Sequence, residues 1–384
     1  MIKSEATIEE IVEEGLCTGC GTCSGICPNS AIKIVINAEG VYVPELVNDK
    51  CNKCGICFNS CPGKYFDFDN FNLGIFDKKP ENILLGNFIN CYLAHATDRE
   101  IRYNSASGGL VTSLLIYALE KGIIDGALVT RMKKDNPLES EPFIARTKGE
   151  IIEASKSKYC PVPANVALKE IVESKEGEKF AVVGLPCHIQ GIRKAERVNK
   201  KLREKIVFHL GIFCSHTDSF RGTKLLLRKL SIKDKEVKKI SYRGEGWPGK
   251  IQINLKNGDQ RYISNQSSLW NIIFNSFFST PTRCLLCNDL TAEFADISFG
   301  DPWLPEIVSK EQVGKSIIIS RTKQGEDLLN ATNSDRYIES SQIEPEKVIQ
   351  SQRNFLHFKK VNLGERVKLR RLFGKKSPQI FMYK

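Results

Sequence analysis

Apolar and polar residues are arranged differently near the start of the chain than in the rest of it. Residues 5–14 have the spacing of a short amphipathic helix. Two strand-like runs, residues 31–36 and 41–47, flank turn-forming residues at 37–40, which is typical of a β-hairpin. Residues 66–90 are rich in Asp, Asn, Gly and Pro and predict a linker with little regular structure. The pattern therefore favours a small first module followed by a larger second one.

Helical and strand-like patterns follow each other in the second module. Helical spacing marks three segments, residues 110–121, 162–174 and 189–202. Short apolar strands are predicted at residues 126–130, 179–183 and 206–212. This alternation predicts an α/β layer with a mostly parallel sheet. The C-terminal part is more mixed, with predicted strands at 238–242, 250–255, 260–263 and 316–320 and a basic helical stretch at 355–373.

The composition is ordinary for a globular protein except in its cysteines. Apolar residues make up 41% of the 384 residues and charged residues 26%, while 14 residues are cysteine. The acidic start of the chain has no apolar signal-peptide region, and the longest apolar stretch, residues 110–119, is too short to span a bilayer. Because thiolates reserved for metal need a reducing compartment, we expect a cytoplasmic protein that is not transmembrane.

The net charge of +11 is concentrated in a few segments, residues 194–205, 224–239 and 366–376. No helix-turn-helix, zinc-finger or stacked-aromatic RNA motif accompanies this charge, so we expect no nucleic-acid partner. Solvated helix faces account for most of these residues. A second interpretation is that the basic surface steers an acidic partner or cofactor toward the protein.

Two copies of one cysteine run carry the most specific chemical signal. The first copy is Cys17, Cys20, Cys23 and Cys27, and the second is Cys51, Cys54, Cys57 and Cys61, each followed by proline. This is the run by which bacterial-type ferredoxins hold two 4Fe-4S clusters, and its fourth cysteine crosses to the other cluster. We therefore assign Cys61 to the first cluster and Cys27 to the second. Structural zinc also takes four thiolates, but zinc motifs pair CxxC with a distant CxxC.

Four further cysteines are candidates for a third site. Cys187 and Cys214 each follow a predicted strand at what would be its C-terminal end, where open α/β sheets place ligands. Cys284 and Cys287 form a CxxC pair. The four are enough for a third 4Fe-4S cluster or for an all-thiolate zinc site. Unconnected core cysteines are the third possibility.

Two loops have the composition of sites for an anionic cofactor. Ser105, Ser107, Gly108 and Gly109 stand directly before a predicted helix, where exposed N–H groups suit a phosphate. Such residues also form ordinary N-caps. Lys156, Ser157, Lys158 and Tyr159 combine two cations, a hydroxyl and an aromatic ring, which fits either an anion clamp or an exposed turn. The chain has no GxGxxG and no Walker A sequence, the fingerprints of a Rossmann NAD site and of a nucleotide-triphosphate site.

Two further cysteines and three histidines are also of reactive types. Cys91 and Cys160 are expected to be small buried apolar residues. His188, His209 and His216 are candidates for proton transfer by position only. The residues alone therefore identify no catalytic acid or base.

The ordered set of loops resembles the coenzyme F420 hydrogenase/dehydrogenase beta-subunit family. The matching segments are SASGG at 105–109, KSKY at 156–159, GLPC at 184–187, GIFC at 211–214, YRGEGWPG at 242–249, RCLLC at 283–287 and ADISFGD at 295–301. The resemblance covers about residues 90–325, and the ferredoxin-type module is fused ahead of it.

The resemblance implies a core that binds FAD and has its own 4Fe-4S cluster, held by Cys187, Cys214, Cys284 and Cys287. It also implies FAD contacts from the 105–109 and 156–159 loops, and we add Gly184 and Pro186 to them. Members of the family exchange a hydride between the flavin and coenzyme F420, the expected substrate here. Single electrons would then pass through the clusters to or from a ferredoxin-like or enzyme partner. The alternatives are an FAD and iron-sulfur reductase of another organic substrate, and a non-catalytic electron-transfer subunit.

The expected architecture is an α/β fold, α+β over the whole chain. We expect a two-cluster ferredoxin-type domain at residues 1–69 and a linker at 70–90. A flavin-binding α/β core at 91–265 follows. The last part, residues 266–384, contains the Cys284 and Cys287 pair and the basic tail.

Overall fold

The computed structural model describes residues 7–381. Its first module is built around the two cysteine runs. Its elements are α1 (Ile8–Glu13), α2 (Thr22–Gly25), β1 (Ile32–Ile36), β2 (Tyr42–Leu46), α3 (Ile56–Asn59) and β3 (Tyr65–Asp67). The predicted hairpin is confirmed, since β1 and β2 pair antiparallel across the turn at 37–40. The predicted first helix is present from Ile8, and its predicted positions 5 and 6 lie outside the described residues.

The segment predicted to be an irregular linker begins with a helix, α4 (Phe68–Phe76). Asp67 caps this helix by accepting a hydrogen bond from the N–H of Asn70 at 3.0 Å. Phe68 and Phe71 are buried against Phe294, with ring centroids 5.0 and 5.9 Å apart. The linker prediction is wrong here because aromatic burial outweighs the turn-forming composition of the segment.

An eight-stranded sheet forms the centre of the second module. The remaining strands of the chain are β4 (Asn90–Ala96), β5 (Gly126–Met132), β6 (Ser140–Ala145), β7 (Phe180–Gly184), β8 (Ile206–Ile212), β9 (Val237–Ser241), β10 (Lys250–Leu255), β11 (Gln260–Ser264), β12 (Ile297–Gly300), β13 (Ser316–Ser320), β14 (Ile338–Ile343) and β15 (Gln379–Phe381). Eight of them form one sheet in the order β14-β4-β13-β12-β8-β7-β5-β6.

The large sheet is mixed. Parallel pairing is confined to the four central strands β12, β8, β7 and β5, and every outer pairing is antiparallel. The prediction of a mostly parallel sheet is therefore wrong, while the mixed α/β class is confirmed. The antiparallel half depends on contacts between distant parts of the chain. Cys91 of β4, for example, lies between Ile319 and Ile343.

Fourteen helices follow α4 within residues 7–381. They are α5 (Arg99–Asn104), α6 (Leu110–Glu120), α7 (Lys148–Glu153), α8 (Leu168–Glu173), α9 (Pro186–Val198), α10 (Lys200–Lys205), α11 (Phe220–Lys229), α12 (Ser268–Asn275), α13 (Thr282–Leu285), α14 (Pro305–Val308), α15 (Lys323–Ser334), α16 (Pro345–Ser351), α17 (Arg353–Leu356) and α18 (Leu363–Leu372). None of them is long and apolar enough to cross a membrane.

Prolines shift two of the predicted helices. The helix predicted at 162–174 begins later, as a 3₁₀ turn and then α8, because Pro161 and Pro163 disfavour helical backbone in the residues before them. The helix predicted at 189–202 begins earlier, because Pro186 suits the first helical position. It also breaks at Asn199, whose side chain caps α10 by accepting the N–H of Leu202 at 3.2 Å.

The C-terminal part returns to the first module. Strands β9, β10 and β11 form a separate antiparallel sheet, with a turn at Asn257 and Gly258 between the last two. The predicted basic helical stretch consists of α17, a π-helical turn (His357–Val361) and α18. Strand β15 then pairs parallel with β3. The basic tail therefore packs beside both modules.

Candidate functional site

The thiols of the first cysteine run meet the last cysteine of the second run. Burial, and then the neighbouring thiols of Cys61 and Cys20, raise the pKa of Cys17 to about 12. Burial and the thiols of Cys20, Cys17 and Cys61 likewise hold the pKa of Cys23 well above its usual value. The N–H of Gly19 faces this group and donates to the Cys17 sulfur at 3.4 Å. Hydrogen bonds to sulfur of this kind tune iron-sulfur sites.

The other four thiols of the two runs form a second group. Burial, and then the thiols of Cys27, Cys54 and Cys51, raise the pKa of Cys57 to about 11. Cys54 is exposed, whereas the other three are half-buried. Cys61 thus lies near thiols of the first run and Cys27 near those of the second, which is what the crossed assignment requires. That these eight thiols hold two clusters stays a prediction.

Cys187, Cys214, Cys284 and Cys287 also come together, although separate loops supply them. Burial, and then the thiols of Cys20, Cys214, Cys284 and Cys287, hold the pKa of Cys187 well above its usual value. Cys187 is the second residue of α9, Cys214 follows β8, and the last two lie on and just after α13. Since Cys20 belongs to the first run, this core group and the first group are neighbours.

The core group lines a small cavity of about 70 Å³, which Cys17 of the first group also touches. A small space that is lined by four thiols fits a compact all-thiolate centre. Within residues 7–381, no group of three or more His, Cys, Asp or Glu side chains is spaced to hold a single metal ion. The two isolated cysteines, Cys91 and Cys160, are both buried, as expected.

A second, larger cavity of about 790 Å³ lies at the carboxyl ends of the central strands, where Gly184 ends β7 and Ile212 ends β8. Its size is within the usual range of cofactor pockets, and this edge is where open α/β sheets bind ligands. Eight of the ten predicted flavin contacts line it: Ser105, Ser107, Gly109, Lys156, Ser157, Lys158, Tyr159 and Gly184.

The other two predicted flavin contacts do not line the large cavity. The N–H of Gly108 donates to the hydroxyl of Ser316 at 2.9 Å. A side chain at position 108 would meet the carbonyl oxygen of Ala94 at 2.8 Å, so glycine is needed for this close packing. Pro186 instead lines the small thiol cavity beside Cys187.

The two lysines of the 156–159 loop have different surroundings. The ammonium of Lys158 donates to the carbonyl oxygens of Ser155 and Lys156 at 2.8 and 2.9 Å, just after α7, and burial lowers its pKa to about 7. Lys156 has φ +72° and packs against Gly244, and its ammonium makes no hydrogen bond or ion pair within the described part of the chain. Lys156 is therefore the cation that this loop offers to an anion, while Lys158 stabilises the end of a helix.

Arg243, which the sequence analysis did not select, is a buried part of the large cavity's wall. It donates to the hydroxyl of Tyr159 at 2.9 Å and pairs with Asp301 at 3.0 Å. The indole of Trp247 donates to the same carboxylate at 2.9 Å. The Nε of Arg243 is buried without a hydrogen-bond partner among residues 7–381. The family-like segments at 242–249 and 295–301 were the available signal for these residues.

Aromatic rings form another part of the same wall. Trp270 and Phe274 of α12 stack with their centroids 5.7 Å apart. Tyr159 packs edge-on against Phe274 at 5.0 Å. Flat apolar surfaces of this kind suit a planar aromatic ligand.

Two of the three candidate histidines have structural roles. Both ring nitrogens of His188 are hydrogen-bonded to main-chain groups, at 3.1 and 3.0 Å. His209 is buried between Asp296 and Glu196, at 3.0 and 2.7 Å, and does not line either cavity. Neither ring has a nitrogen available to a substrate.

His216 and Cys214 line both cavities. His216 donates through Nε2 to the carbonyl oxygen of Phe274 at 2.8 Å, and its Nδ1 has no partner within residues 7–381. Burial lowers the pKa of His216 to about 4, so the ring is neutral. The large cavity and the core thiols therefore share a wall.

The thiol groups and the large cavity form a continuous series. Cys214 belongs to the wall that the two cavities share. The core group reaches the first group through Cys187 and Cys20. The first group reaches the second through Cys23 and Cys57, whose thiol also raises the pKa of Cys23. The three thiol groups thus extend from the cavity to the exposed Cys54.

Comparisons with known families match three segments of the chain. Residues 91–169 match the family model "Coenzyme F420 hydrogenase/dehydrogenase, beta subunit N-term", and residues 177–346 match the corresponding C-terminal model. Residues 16–66 match the model of a 4Fe-4S dicluster domain.

Individual relatives cover different shares of the chain. A coenzyme F420 hydrogenase subunit beta from Methanococcus voltae is 30% identical over 68% of this chain and 87% of its own length. A coenzyme F420-dependent sulfite reductase from Methanocaldococcus jannaschii is 29% identical over 88% of this chain, which spans only 50% of that relative. A chain of the F420-reducing [NiFe] hydrogenase complex from Methanosarcina barkeri superposes with a TM-score of 0.61 at 25% identity, covering 78% of this chain and 98% of that one.

Proposed function

This chain belongs to the coenzyme F420 hydrogenase/dehydrogenase beta-subunit family, and from that premise we propose that it is an iron-sulfur flavoprotein oxidoreductase. Its substrate would be coenzyme F420, which exchanges a hydride with FAD. Its 4Fe-4S clusters would pass single electrons to or from a redox partner protein. A flavin supplies the chemistry that links two-electron and one-electron carriers, while the protein supplies position and electrostatics. The cytoplasmic location stays a prediction.

One observation supports this proposal above all: the large cavity shares the wall at Cys214 and His216 with the core thiols. A flavin in the cavity would therefore be separated from a cluster on these thiols by single side chains. The crossed grouping of Cys61 and Cys27 supports two further clusters in the first module.

The residues of the large cavity fit a dinucleotide with a planar ring. Leu110, Val111 and Thr112, at the start of α6, line the cavity, and the start of a helix favours a diphosphate. Lys156 adds the available cation, and the aromatic wall offers flat surfaces to the ring. The buried guanidinium of Arg243 belongs to the same wall and holds Tyr159 in place by donating to its hydroxyl.

The test is anaerobic purification of the full chain, with iron, sulfide and flavin quantified, followed by titration with reduced F420. We expect three clusters and one flavin per chain, and bleaching of the flavin spectrum by reduced F420. A flavin that does not bleach favours the reductase of another organic substrate. Iron without flavin favours a non-catalytic electron-transfer subunit, and zinc without the visible absorption of clusters favours a zinc-stabilised adaptor.

The partner is proposed by chemistry only. The exposed Cys54 puts the second thiol group at the surface, where a protein that accepts or donates single electrons could approach it. This chain spans only 50% of the relative named coenzyme F420-dependent sulfite reductase, whose name joins the use of F420 to the reduction of a second substrate. For this chain we propose a separate redox protein or a larger oxidoreductase subunit as the partner.

A further inference from the structure

The basic C-terminal stretch folds back onto the core thiols and buries a lysine beside them. Lys359, in the π-helical turn (His357–Val361), is only 1% exposed. Its ammonium donates to the Cys287 sulfur at 3.3 Å and to the carbonyl oxygen of Asp289 at 2.7 Å. A residue from the end of the chain therefore contacts a predicted cluster ligand directly.

A buried ammonium is costly unless a negative charge lies near it. The carboxylate of Asp289, whose charge acts on Lys359, accepts hydrogen bonds from Gln190 at 3.0 Å and from the N–H of Glu293 at 3.3 Å. Glu293 is itself paired with the neighbouring Lys360. Lys359 hydrogen-bonds to Asp289 only at its main chain, and the neighbouring thiols raise the pKa of Lys359 more than the Asp289 carboxylate does.

Anchoring of the C-terminal stretch does not explain this contact. Arg366, one helix further on, already ties the stretch to the same loop by donating from Nε to the carbonyl oxygen of Leu285 at 2.7 Å. A neutral side chain at position 359 could bond the Asp289 carbonyl equally well. Unlike a neutral side chain, Lys359 places a positive charge in contact with the Cys287 sulfur.

We propose that Lys359 is a fixed cation that raises the reduction potential of the cluster held by Cys187, Cys214, Cys284 and Cys287. An added electron is stabilised by a nearby positive charge, and more strongly where water is excluded. Net charge and hydrogen bonds to sulfur are among the factors that set cluster potentials. The core cluster would then accept an electron from the flavin cavity more readily. The inference rests on the proposed function only in requiring a cluster on these four thiols.

The experiment is a redox titration of the full, cluster-loaded chain with dithionite, followed by electron paramagnetic resonance. For Lys359→Met, we expect the ratio of reduced to oxidised core cluster at the wild-type midpoint to fall about tenfold, equal to about 59 mV for a one-electron couple. Lys359→Arg keeps the charge, so we expect its midpoint to stay near the wild-type value.

Two other lysines provide matched controls. Lys368→Met removes the same charge from an exposed position of the same stretch and is expected to shift no midpoint. Lys194 is buried beside the first group and donates to the carbonyl oxygen of Cys61 at 2.6 Å. We therefore expect Lys194→Met to shift the midpoint potential of the cluster that includes Cys61 and to leave that of the core cluster unchanged. This difference identifies the two signals.

The proposal is wrong if the midpoint potential of the core cluster is unchanged in Lys359→Met. It is also wrong if that potential falls by the same amount in Lys359→Arg. If Lys359→Met takes up no core cluster, the midpoint potential of Lys359→Gln is compared with that of the wild type instead. Glutamine keeps an N–H donor without the charge. Dithionite needs neither flavin nor F420, so a chain that fails to react with F420 still gives a readable result. Iron for only two clusters would instead refute the cluster assignment of the proposed function.

Discussion

The thiol of Cys20 lies close enough to Cys187 to be, after burial, the largest cause of its raised pKa. The first residue belongs to the small module and the second to the large one. Two cysteine groups that are far apart in the sequence thus adjoin in space. This contact makes the ferredoxin-type module a continuation of the core site.

Single Cys→Ser changes test the three groups. We expect Cys17→Ser and Cys61→Ser to lose the same cluster signal and about four iron atoms, because their thiols share one group. Cys27→Ser should lose the other ferredoxin-type signal, and Cys214→Ser the third. Iron analysis and electron paramagnetic resonance measure the losses.

The matched control for these variants is Cys160→Ser, which changes a buried cysteine that belongs to no group. It should retain all the iron. If Cys17→Ser and Cys61→Ser eliminate different signals, the crossed assignment is wrong.

Arg283 joins the two modules at their cluster loops. Its buried guanidinium donates to the carbonyl oxygen of Gly63 at 2.9 Å and to that of Leu286 at 3.1 Å. Arg283→Met leaves both carbonyls without this donor, and we expect the free energy of unfolding to fall by about 3 kcal/mol. Anaerobic urea denaturation measures it.

The control for Arg283 is the exposed Arg221, which also donates to a single carbonyl oxygen of the first module, that of Ala38 at 2.8 Å. Arg221→Met should cost less than about 0.5 kcal/mol. Equal losses in the two variants would mean that burial of Arg283 contributes nothing to the junction.

The hairpin, the central strands and the helix before the large cavity could be predicted because their signals are local. Strand β4 could not, since Cys91 pairs with Ile319 and Ile343 from the far end of the chain. Likewise, the burial of Phe71 depends on Phe294. Local sequence patterns do not identify such distant partners, because these contacts form only when the two modules pack together.

The candidate site shows the same limit. The sequence selected the 156–159 loop as a flavin contact, and the loop does line the large cavity, but the pattern treated Lys156 and Lys158 alike. Only the fold separates them, because the carbonyl oxygens of Ser155 and Lys156, just after α7, accept hydrogen bonds from the ammonium of Lys158. Similarly, Arg243 is recognisable as a site residue only when Tyr159 and Asp301 are seen beside it.

Lys158 should make stability depend on pH. Burial lowers its pKa to about 7 in the folded protein, whereas an unfolded lysine has a pKa of about 10.4. Between these values the unfolded chain binds a proton that the folded chain does not, so the free energy of unfolding should rise with pH from about 7 to 10. Below pH 7 both states are protonated and the contribution is constant.

The measurement is urea denaturation of the wild type and Lys158→Met across this pH range. The wild type should gain stability relative to the variant as the pH rises. Parallel pH profiles for the two proteins would show that Lys158 keeps its ordinary pKa when buried.

Lys156 should contribute to flavin affinity, because it is the cation of its loop that has no partner among the described residues. We expect Lys156→Met to raise the Kd for FAD about tenfold, or about 1.4 kcal/mol, with little change in stability. Titration of flavin fluorescence measures the Kd. Salt should weaken wild-type binding more than binding by the variant, since a charge contact is screened.

Lys134→Met, which removes a charge at a side chain that is 78% exposed and ion-paired with Glu153, is the control and should leave the Kd unchanged. An unchanged Kd in Lys156→Met at low salt would exclude Lys156 as a flavin contact.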